Sequence, residues 1–551
     1  ARNDFSAAAC STAMFYMREN FDKEKTAFLN VMKKYMVSDI ISGEIKAGGK
    51  IKQKSRWMSN SELDDNSYLH SLATVGIDTN RMKSSRFGDY YLNAAKFGAP
   101  SLSDFIDHPV PSRDLLGVYS MKPLINTDAM KEWYDLTKNA SVNGEVEYLP
   151  NARAALSNYS IAEGVTAGYI MNTLNYGQEV SLLLGARVES ESNDYTARIS
   201  TGSISNIGIR YGFTDVPRDS TIHYTETNIL PNILLTLRPA EFLTFRLAGY
   251  KALARPDFNL RLPTFFIQNS NSSLTVGNPN LKDTKAWNYE LNAQVFNNTI
   301  GLVSVSVFYK KLDNMFHQMS NVQVDKQFLD SLFTAMDMDW TSTEPFRSLI
   351  LRNPSAYLTV PYNSTKPSYA WGVEFEHQMN FSFMALNYVN SVTLSYNVSL
   401  TRSETQIIGN QTLYRTDSNF VRGRWIVTQN PYHVATEYTR QSEGQPKLYG
   451  NAAIGYDLEG FSARLSYFYQ DEYVKSYSSD GQSDIMTDTF SKIDLALKQK
   501  LTDNISLFMN INNLTNNEET TSQKNQKKPW QIPNTAELYG TTVDLGVKVT
   551  L

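Results

Sequence analysis

Trp287-Asn288-Tyr289-Glu290-Leu291-Asn292-Ala293-Gln294-Val295-Phe296 decides the fold. Trp287, Tyr289, Leu291, Ala293 and Val295 are apolar, while Asn288, Glu290, Asn292 and Gln294 between them are polar. Successive side chains of a strand point to opposite faces, so this stretch is a strand with one greasy face and one polar face. A half-buried strand of a soluble sandwich alternates too, and one segment settles nothing. The pattern recurs, however, in about a dozen segments, many of them about ten residues or longer, where soluble strands usually stop near 5–6 and a barrel strand crossing a bilayer obliquely needs about 9–11. Val303, Val305, Val307 and Tyr309 alternate with Ser304, Ser306, Phe308 and Lys310. Val392, Leu394, Tyr396, Val398 and Leu400 alternate with Thr393, Ser395, Asn397 and Ser399, and Phe461–Tyr469 alternates with Ser462, Arg464 and Ser466. Tyr539, Val543, Leu545, Val547, Val549 and Leu551 alternate with Gly540, Thr542, Asp544, Gly546, Lys548 and Thr550.

The connections keep a schedule. Short turns are expected near Val37–Ser42, Asn175–Gln178, Pro239–Glu241, Asn297–Thr299, Asp457–Gly460 and Leu501–Asn504. Long excursions separate them, at Met58–Ser157, Thr201–Thr221, Asp257–Asp283, Gln318–Thr365, Glu404–Gln445 and Asn516–Leu538. Up-and-down strands return to the same side at every second connection, so short periplasmic turns and long external loops produce this rhythm. The fold expected is all-β: a transmembrane antiparallel up-and-down β-barrel with about 15 or 16 strands visible and long extracellular loops. Residues 1–551 are read as barrel, with 58–157 a large extracellular loop insertion within it. A membrane sheet tolerates no free edge, so the barrel must close.

Composition excludes the other classes. The mean hydropathy is −0.38 and no apolar run reaches 18 residues, so no helical span is present. No basic segment followed by an apolar one opens the chain as a signal peptide would. Cys10 is the single cysteine, which rules out an internal disulfide framework and a cysteine metal cage. A net charge of −4 gives no reason to expect nucleic acid. Aromatic residues, with 32 Tyr and 27 Phe, fit a large water-soluble β protein as well as the girdles of an outer-membrane barrel, and strand periodicity has to separate the two.

Four features resemble the TonB-dependent outer-membrane transporters. Ala254-Arg255-Pro256-Asp257-Phe258 is similar to the family's Arg-Pro element. Val276-Gly277-Asn278-Pro279-Asn280-Leu281 followed by Asn288-Tyr289-Glu290-Leu291 resembles its GNPxL…NxE stretch. Gly372-Val373-Glu374-Phe375 resembles its glycine-valine-glutamate strand, and Asn512-Asn513-Leu514 with Tyr539-Gly540 its C-terminal signature. The end of the chain resembles the insertion signal of bacterial barrels, with Asp544, Gly546, Val549 and Leu551 in its places and Leu551 where an aromatic is usual. The resemblance covers about Gly43 to Leu551. It implies a 22-stranded barrel filled by an N-terminal plug, of which this chain is the C-terminal barrel portion. Residues 1–57 read as barrel, with Met14–Met17, Phe28–Met36 and Gly43–Trp57 strand-like. Met14–Met17 is a poor closing partner for the long last strand, so about six further strands and a plug are expected before Ala1.

No catalytic constellation is legible, and no enzyme activity or cofactor is expected. His70, His108, His223, His317, His377 and His433 are scattered with no metal spacing and read as ordinary surface or lumen residues. Asp64-Asp65-Asn66 and Asp337-Met338-Asp339 lack the glycine and distal glutamate of a calcium loop and read as solvated carboxylates. The Asn-x-Ser/Thr triplets at Asn297, Asn397 and Asn513 fall in or beside strands, as chance in an Asn-rich chain allows. Arg187, Arg246, Glu290, Lys310, Glu374, Glu376, Arg464, Lys492, Asp494 and Lys498 are expected to face the lumen. A wet lumen tolerates both signs, and the same charges could line a path or grip a plug. Trp287 and Trp371 read as girdle residues.

Loops on a rigid scaffold are the expected binding surface. In the Met58–Ser157 excursion a helix over Ala129–Lys138, capped by Asp128, is expected to expose Trp133 and Tyr134. A second loop helix, Asp325–Met336, places Phe328, Leu329, Leu332 and Phe333 on one face. Trp133, Tyr134, Phe328 and Phe333 are the candidate ligand contacts, with packing of loops over the mouth as the plainer alternative.

By resemblance, the expected function is TonB-dependent active uptake of a large or scarce solute across the outer membrane of a Gram-negative bacterium. The partners implied are the lipid bilayer, the TonB complex acting through the plug, and, as in some relatives, a surface lipoprotein. Two other readings stay open on the sequence: a passive porin, and a structural or assembly component of the outer membrane that reuses a transporter barrel.

Overall fold

The computed structural model describes residues 14–65, 76–88, 101–106, 124–142, 145–146, 148–199, 204–207, 210–213, 217–268, 273–338, 356–384, 386 and 388–550. Strands dominate them, and among the described residues no helix is long and apolar enough to cross a membrane. A 17-stranded sheet holds the short Tyr148–Pro150 and sixteen longer strands. These are β1 (Met14–Met36), β2 (Ile41–Asp65), β3 (Tyr159–Tyr176), β4 (Val180–Ile199), β5 (Arg218–Ala240) and β6 (Leu243–Ala254). Next come β7 (Thr284–Asn297), β8 (Gly301–Asp313), β9 (Ser368–Asn380), β10 (Val392–Val421) and β11 (Arg424–Arg440). The last are β12 (Leu448–Leu458), β13 (Phe461–Gln470), β14 (Phe490–Lys500), β15 (Ile505–Asn512) and β16 (Thr542–Val549).

The chain divides into two compact units, and the larger comprises Lys23–Ser55, Ile161–Thr196 and Thr221–Leu551. Its strands form an antiparallel meander in which each pairs with its neighbour in the chain, except that β10 pairs with β9 and β12 while β11 hangs from the far half of β10. The six expected short turns all lie between consecutive strands. At the β12–β13 turn, Glu459 and Gly460 both take positive φ, the backbone that a two-residue hairpin requires.

Register turns the sequence alternation into two faces. Leu247 pairs with Leu291, Leu291 with Val307, Val307 with Val373, Val373 with Leu400 and Leu400 with Leu448. One residue earlier on β6, Arg246 pairs with Asn292, Asn292 with Ser306, Ser306 with Glu374 and Glu374 with Ser399. The first five residues of the apolar row are 43–55% exposed, whereas Ser399, Thr401, Ser403 and Thr405 on the other face of β10 are buried. A soluble protein sorts the other way, since leaving one such side chain in water forfeits about 1.5–3 kcal/mol. Hydrocarbon on the apolar side removes that cost, and the polar side is the inner face.

Two glycines of the sequence motifs are required by close approach on this wall. A Cβ at Gly372 would meet the Phe308 ring and the Leu400 carbonyl, and one at Gly546 would meet the Phe508 ring. Both aromatics lie on the cross-strand partner, Phe308 opposite Gly372 and Phe508 opposite Gly546.

Three expectations are corrected. Met14–Met17 and Phe28–Met36 are not separate short pieces but parts of one 23-residue strand, β1, paired with β2. The Glu404–Gln445 excursion is not irregular. β10 and β11 pair from Thr405–Arg440 to Val421–Arg424 as a two-stranded ribbon, which showed no alternation because both faces of its outer part are exposed. The helix expected at Ala129–Lys138 runs Thr127–Thr137, and its cap is Asn126, not Asp128, with Oδ1 accepting from Ala129 N.

Folded loops carry their own cores. In the larger unit Phe265–Gln268, Ser273–Val276, Tyr357–Asn363 and Phe316–Gln323 make a four-stranded sheet. The helix expected at Asp325–Met336 runs Lys326–Ala335 with Asp325 as its cap, and lays Leu329, Leu332 and Phe333 onto a cluster with Leu274, Val322, Leu358 and Val360. The smaller unit comprises Ala1–Asp22, Arg56–Ser160 and Ala197–Ser220, and it packs Met82, Phe87, Phe105, Ala129, Trp133 and Leu136 together.

Candidate functional site

The four aromatic residues expected to contact ligand are mostly core. Trp133 is 5% exposed and meets Phe87 edge-on at 5.0 Å, which corrects the expectation that it is displayed. Tyr134 is half-buried with its ring centroid 4.2 Å from that of Phe15. Phe333 is buried, and Phe328 packs against the same cluster from its edge. Asn66, His70, His108, Asp339, Leu551 and Cys10 lie outside the described residues.

The motif residues after β6 build an ionic latch. The chain leaves the wall at Arg255-Pro256, makes one turn of helix at Phe258–Arg261, and returns through Gly277-Asn278-Pro279 to β7. Arg261 is 1% exposed; its Nη2 donates to Asp283 at 2.9 Å, its Nη1 to Glu191 at 3.2 Å and its Nε to the Leu281 carbonyl at 2.8 Å. Its guanidinium sits 4.1 Å over the Tyr224 ring. Arg255 donates to Glu191 at 2.7 Å and Glu189 at 2.8 Å, while Lys285 pairs with Glu226 and Arg187 with Glu189. Four carboxylates thus face four cations, and the buried cluster is electrically balanced. Burial, with the Glu191 charge behind it, pushes the Asp283 carboxyl up to about 6, and Tyr224, with Glu191 and Tyr195, holds the Arg261 guanidinium above its ordinary value despite burial. Glu191, Glu226 and Asp283 bring carboxylate oxygens within 4.8 Å of one another, but Arg261 and Lys285 already supply the compensating charge that a metal ion would bring.

The neighbouring motif positions serve the same anchoring. Asn278 donates from its backbone to Leu260 O and from its side chain to Pro361 O, and a Cβ at Gly277 would strike the Leu262 carbonyl. Pro256 and Pro279 are buried. At the far end of the chain Asn512 bonds Thr542 across to β16, and Asn513, at positive φ, opens the last loop with its N–H on Asp494 and its amide on the Asn517 carbonyl.

Several of the charges expected on the inner face find partners along the wall. Arg246 donates to Asn292 and Gln294, Glu290 accepts from Tyr250, and Lys492 pairs with Asp494. Glu374 makes no hydrogen bond or ion pair with any described residue, which leaves a carboxylate turned to the lumen side without a partner.

A cleft of about 480 Å³ opens among the outer loops of the larger unit, a site that no sequence motif marked. The strand Phe316–Gln323, the ribbon base at Thr405–Ile408, and the segments Gln441–Glu443 and Ser476–Ser479 line it. His317 is half-buried, and the desolvation pushes its imidazole down to about 4 and leaves it neutral, with Nε2 2.9 Å from Thr405 Oγ1. Expected as an ordinary surface or lumen histidine, it sits instead in the sheet of the folded loop. Tyr477 is fixed from both ends, its N–H on Glu443 Oε1 at 2.8 Å and its hydroxyl on the Gln441 carbonyl at 3.0 Å, and burial pushes its phenol up to about 12. The sequence signal that could have found the cleft is the hydroxyl-rich Ser476-Tyr477-Ser478-Ser479 run.

The comparisons with known proteins agree with this wall. The family model described as TonB dependent receptor-like, beta-barrel matches residues 45–514. Among solved structures, the ferric-catecholate import receptor Fiu from E. coli K12 aligns with a TM-score of 0.50 and 12% identity over 97% of this chain and 55% of that one. The siderophore receptor PiuA from Acinetobacter baumannii aligns with 0.47 and 12% over 97% and 56%. The chain spans about half the length of the receptors it matches. No curated protein sequence matches it. With a wall of lipid-facing and lumen-facing strands and a family match over most of its length, the chain belongs to the TonB-dependent receptor-like β-barrel family of the Gram-negative outer membrane.

Proposed function

We propose that the complete protein takes up a scarce or large solute across the outer membrane by TonB-dependent transport. The outer loops capture the solute, a plug inside the barrel holds the pore shut, and the TonB complex moves the plug. The observation that carries this reading is the combination of a charged inner face with outer loops folded into cores of their own. A wet lumen of either kind tolerates charge, but an open diffusion pore has no need of loops that fold cores of their own. Two features support further strands and a plug in the complete protein. Among the described residues no pairing joins β16 to β1, and both are exposed along nearly their whole length. Membrane strands need a partner on each edge. The unpaired Glu374 carboxylate supports a cationic contact from within the lumen. A surface lipoprotein, if one pairs with this receptor, would meet the outer loops.

The test joins conductance and energy dependence. The native protein in planar bilayers is expected to show no large steady conductance. Strains lacking either this protein or TonB should share one nutrient-limited growth defect, which restoring each gene relieves. Large open-pore conductance would make the porin reading the better one. Growth defects that do not coincide would end the transport proposal.

A further inference from the structure

We infer that the cleft between Phe316–Gln323 and Ser476–Ser479 binds an uncharged, hydroxyl-rich solute, an oligosaccharide, through a fixed tyrosine platform and a ring of unspent hydroxyl and amide groups. The assignment rests on the uptake role proposed above and names the class of its solute.

Three observations lead there. First, the polar groups are unspent. The hydroxyls of Ser320, Ser442, Ser476 and Ser479 and the amide of Gln318 line the cleft, and none makes a hydrogen bond to a described residue. Hydroxyls and amides that both donate and accept suit a ligand whose groups do the same. Ser478, by contrast, is committed to Asp484, which sets the bend of this segment. Second, an aromatic face is held ready. Tyr477 is bonded at both its N–H and its hydroxyl, and the Arg440 guanidinium lies 5.8 Å from its ring centroid. A ring locked before binding loses little freedom when the C–H face of a sugar stacks on it. Third, the charge is wrong for an anion. No lysine or arginine lines the cleft, His317 is neutral, and the one formal charge in the lining is Glu443. An anionic chelate entering here would meet no cation in the lining itself, since Arg440 beside it is already held over the Tyr438 and Tyr477 rings, and it would lose its hydration. The volume of about 480 Å³ lies within the range of small-molecule sites, about 300–1,000 Å³.

Isothermal titration calorimetry of the complete protein in detergent tests this with three probe sets. These are a panel of neutral plant, yeast and bacterial oligosaccharides, two anionic ferric chelates (ferric citrate and a ferric tris-catecholate), and an arginine-rich peptide. A neutral oligosaccharide should bind. Tyr477→Ala should weaken it about tenfold or more, while Tyr477→Phe, which keeps the ring, should stay within about threefold. Both variants should keep the heat-modifiable barrel band on gels. The inference is overturned if a chelate or the peptide binds and Tyr477→Ala abolishes it, if sugar binding ignores Tyr477→Ala, or if no neutral oligosaccharide binds. TonB-dependent import of an anionic solute would refute the sugar assignment and leave uptake standing. Sugar binding with TonB-independent import would do the reverse.

Discussion

Replacing Arg261 by Met removes the centre of the ionic latch while keeping much of the side-chain volume. The substitution leaves Asp283 and Glu191, 0% and 1% exposed, short of one cation. Removing one partner of a buried pair costs about 3–5 kcal/mol, because the remaining charge stays buried. Arg255 still reaches Glu191, so the lower end, about 3 kcal/mol, is expected here. The wall has its own hydrogen bonds, so the loss falls on the anchoring of the Arg255–Asp283 excursion rather than on the barrel. At 1.4 kcal/mol per tenfold, amides closing that excursion should exchange about a hundredfold faster. The amides to follow by hydrogen–deuterium exchange are Leu262 (to Phe258 O), Gly277 (to Thr264 O) and Asn278 (to Leu260 O). Lys326→Met, which breaks an exposed pair with Asp330, is the control and should move exchange little. Unchanged exchange at Leu262, Gly277 and Asn278, or an equal rise across β8, would refute the latch.

The same cluster has a pH dependence. Asp283 is raised in the folded state, so the folded protein holds its proton over the interval in which the unfolded chain has lost it. Latch stability therefore falls as pH rises from about 4 through about 6, and Asp283→Asn should flatten that slope in exchange at Gly277. Trp133→Ala should cost the smaller unit about 3–5 kcal/mol and expose Phe105 and Phe87 to protease, while the heat-modifiable barrel band persists; loss of that band would show that Trp133 supports the wall. Gly372→Ala should cost about 1–3 kcal/mol in urea unfolding from vesicles, because its methyl meets the Phe308 ring; adding Phe308→Ala should recover part, and no recovery would place the strain elsewhere.

How much of this was legible depended on whether one solvent or two faced each segment. Trp287–Phe296 has hydrocarbon on one side and a wet lumen on the other, so its faces were written in the period-two pattern. The outer part of the ribbon that starts at Thr405–Arg440 has one solvent on both sides, and its strands left no such trace. Asp325–Met336 was read nearly to the residue because Asp325 caps it and one face is buried. Asn126 was missed because Asp128, two residues on, offered an equally good capping side chain. Trp133 on a loop helix was expected at the surface. The loop is instead large enough to fold a core around it, drawn from Phe87 and Phe105, which nothing in local spacing reveals. Arg255 was recognised as a motif residue, yet its role needs Glu191 and Glu189 from β4, 64 and 66 residues earlier. The cleft was invisible for the same reason, since its walls come from four distant segments.

The central claim is that alternate residues of each long strand face lipid and lumen, and spin labels placed one at a time from Val303 to Lys310 test it most directly. Each labelled variant, in a Cys10→Ser background and reconstituted in lipid, is compared for accessibility to oxygen, which concentrates in hydrocarbon, and to a water-soluble nickel chelate. The account predicts an oxygen-accessibility pattern of period two, with maxima at Val303, Val305, Val307 and Tyr309 and minima at Ser304, Ser306, Phe308 and Lys310. Maxima at the even positions, or a trace with no period of two, would contradict it.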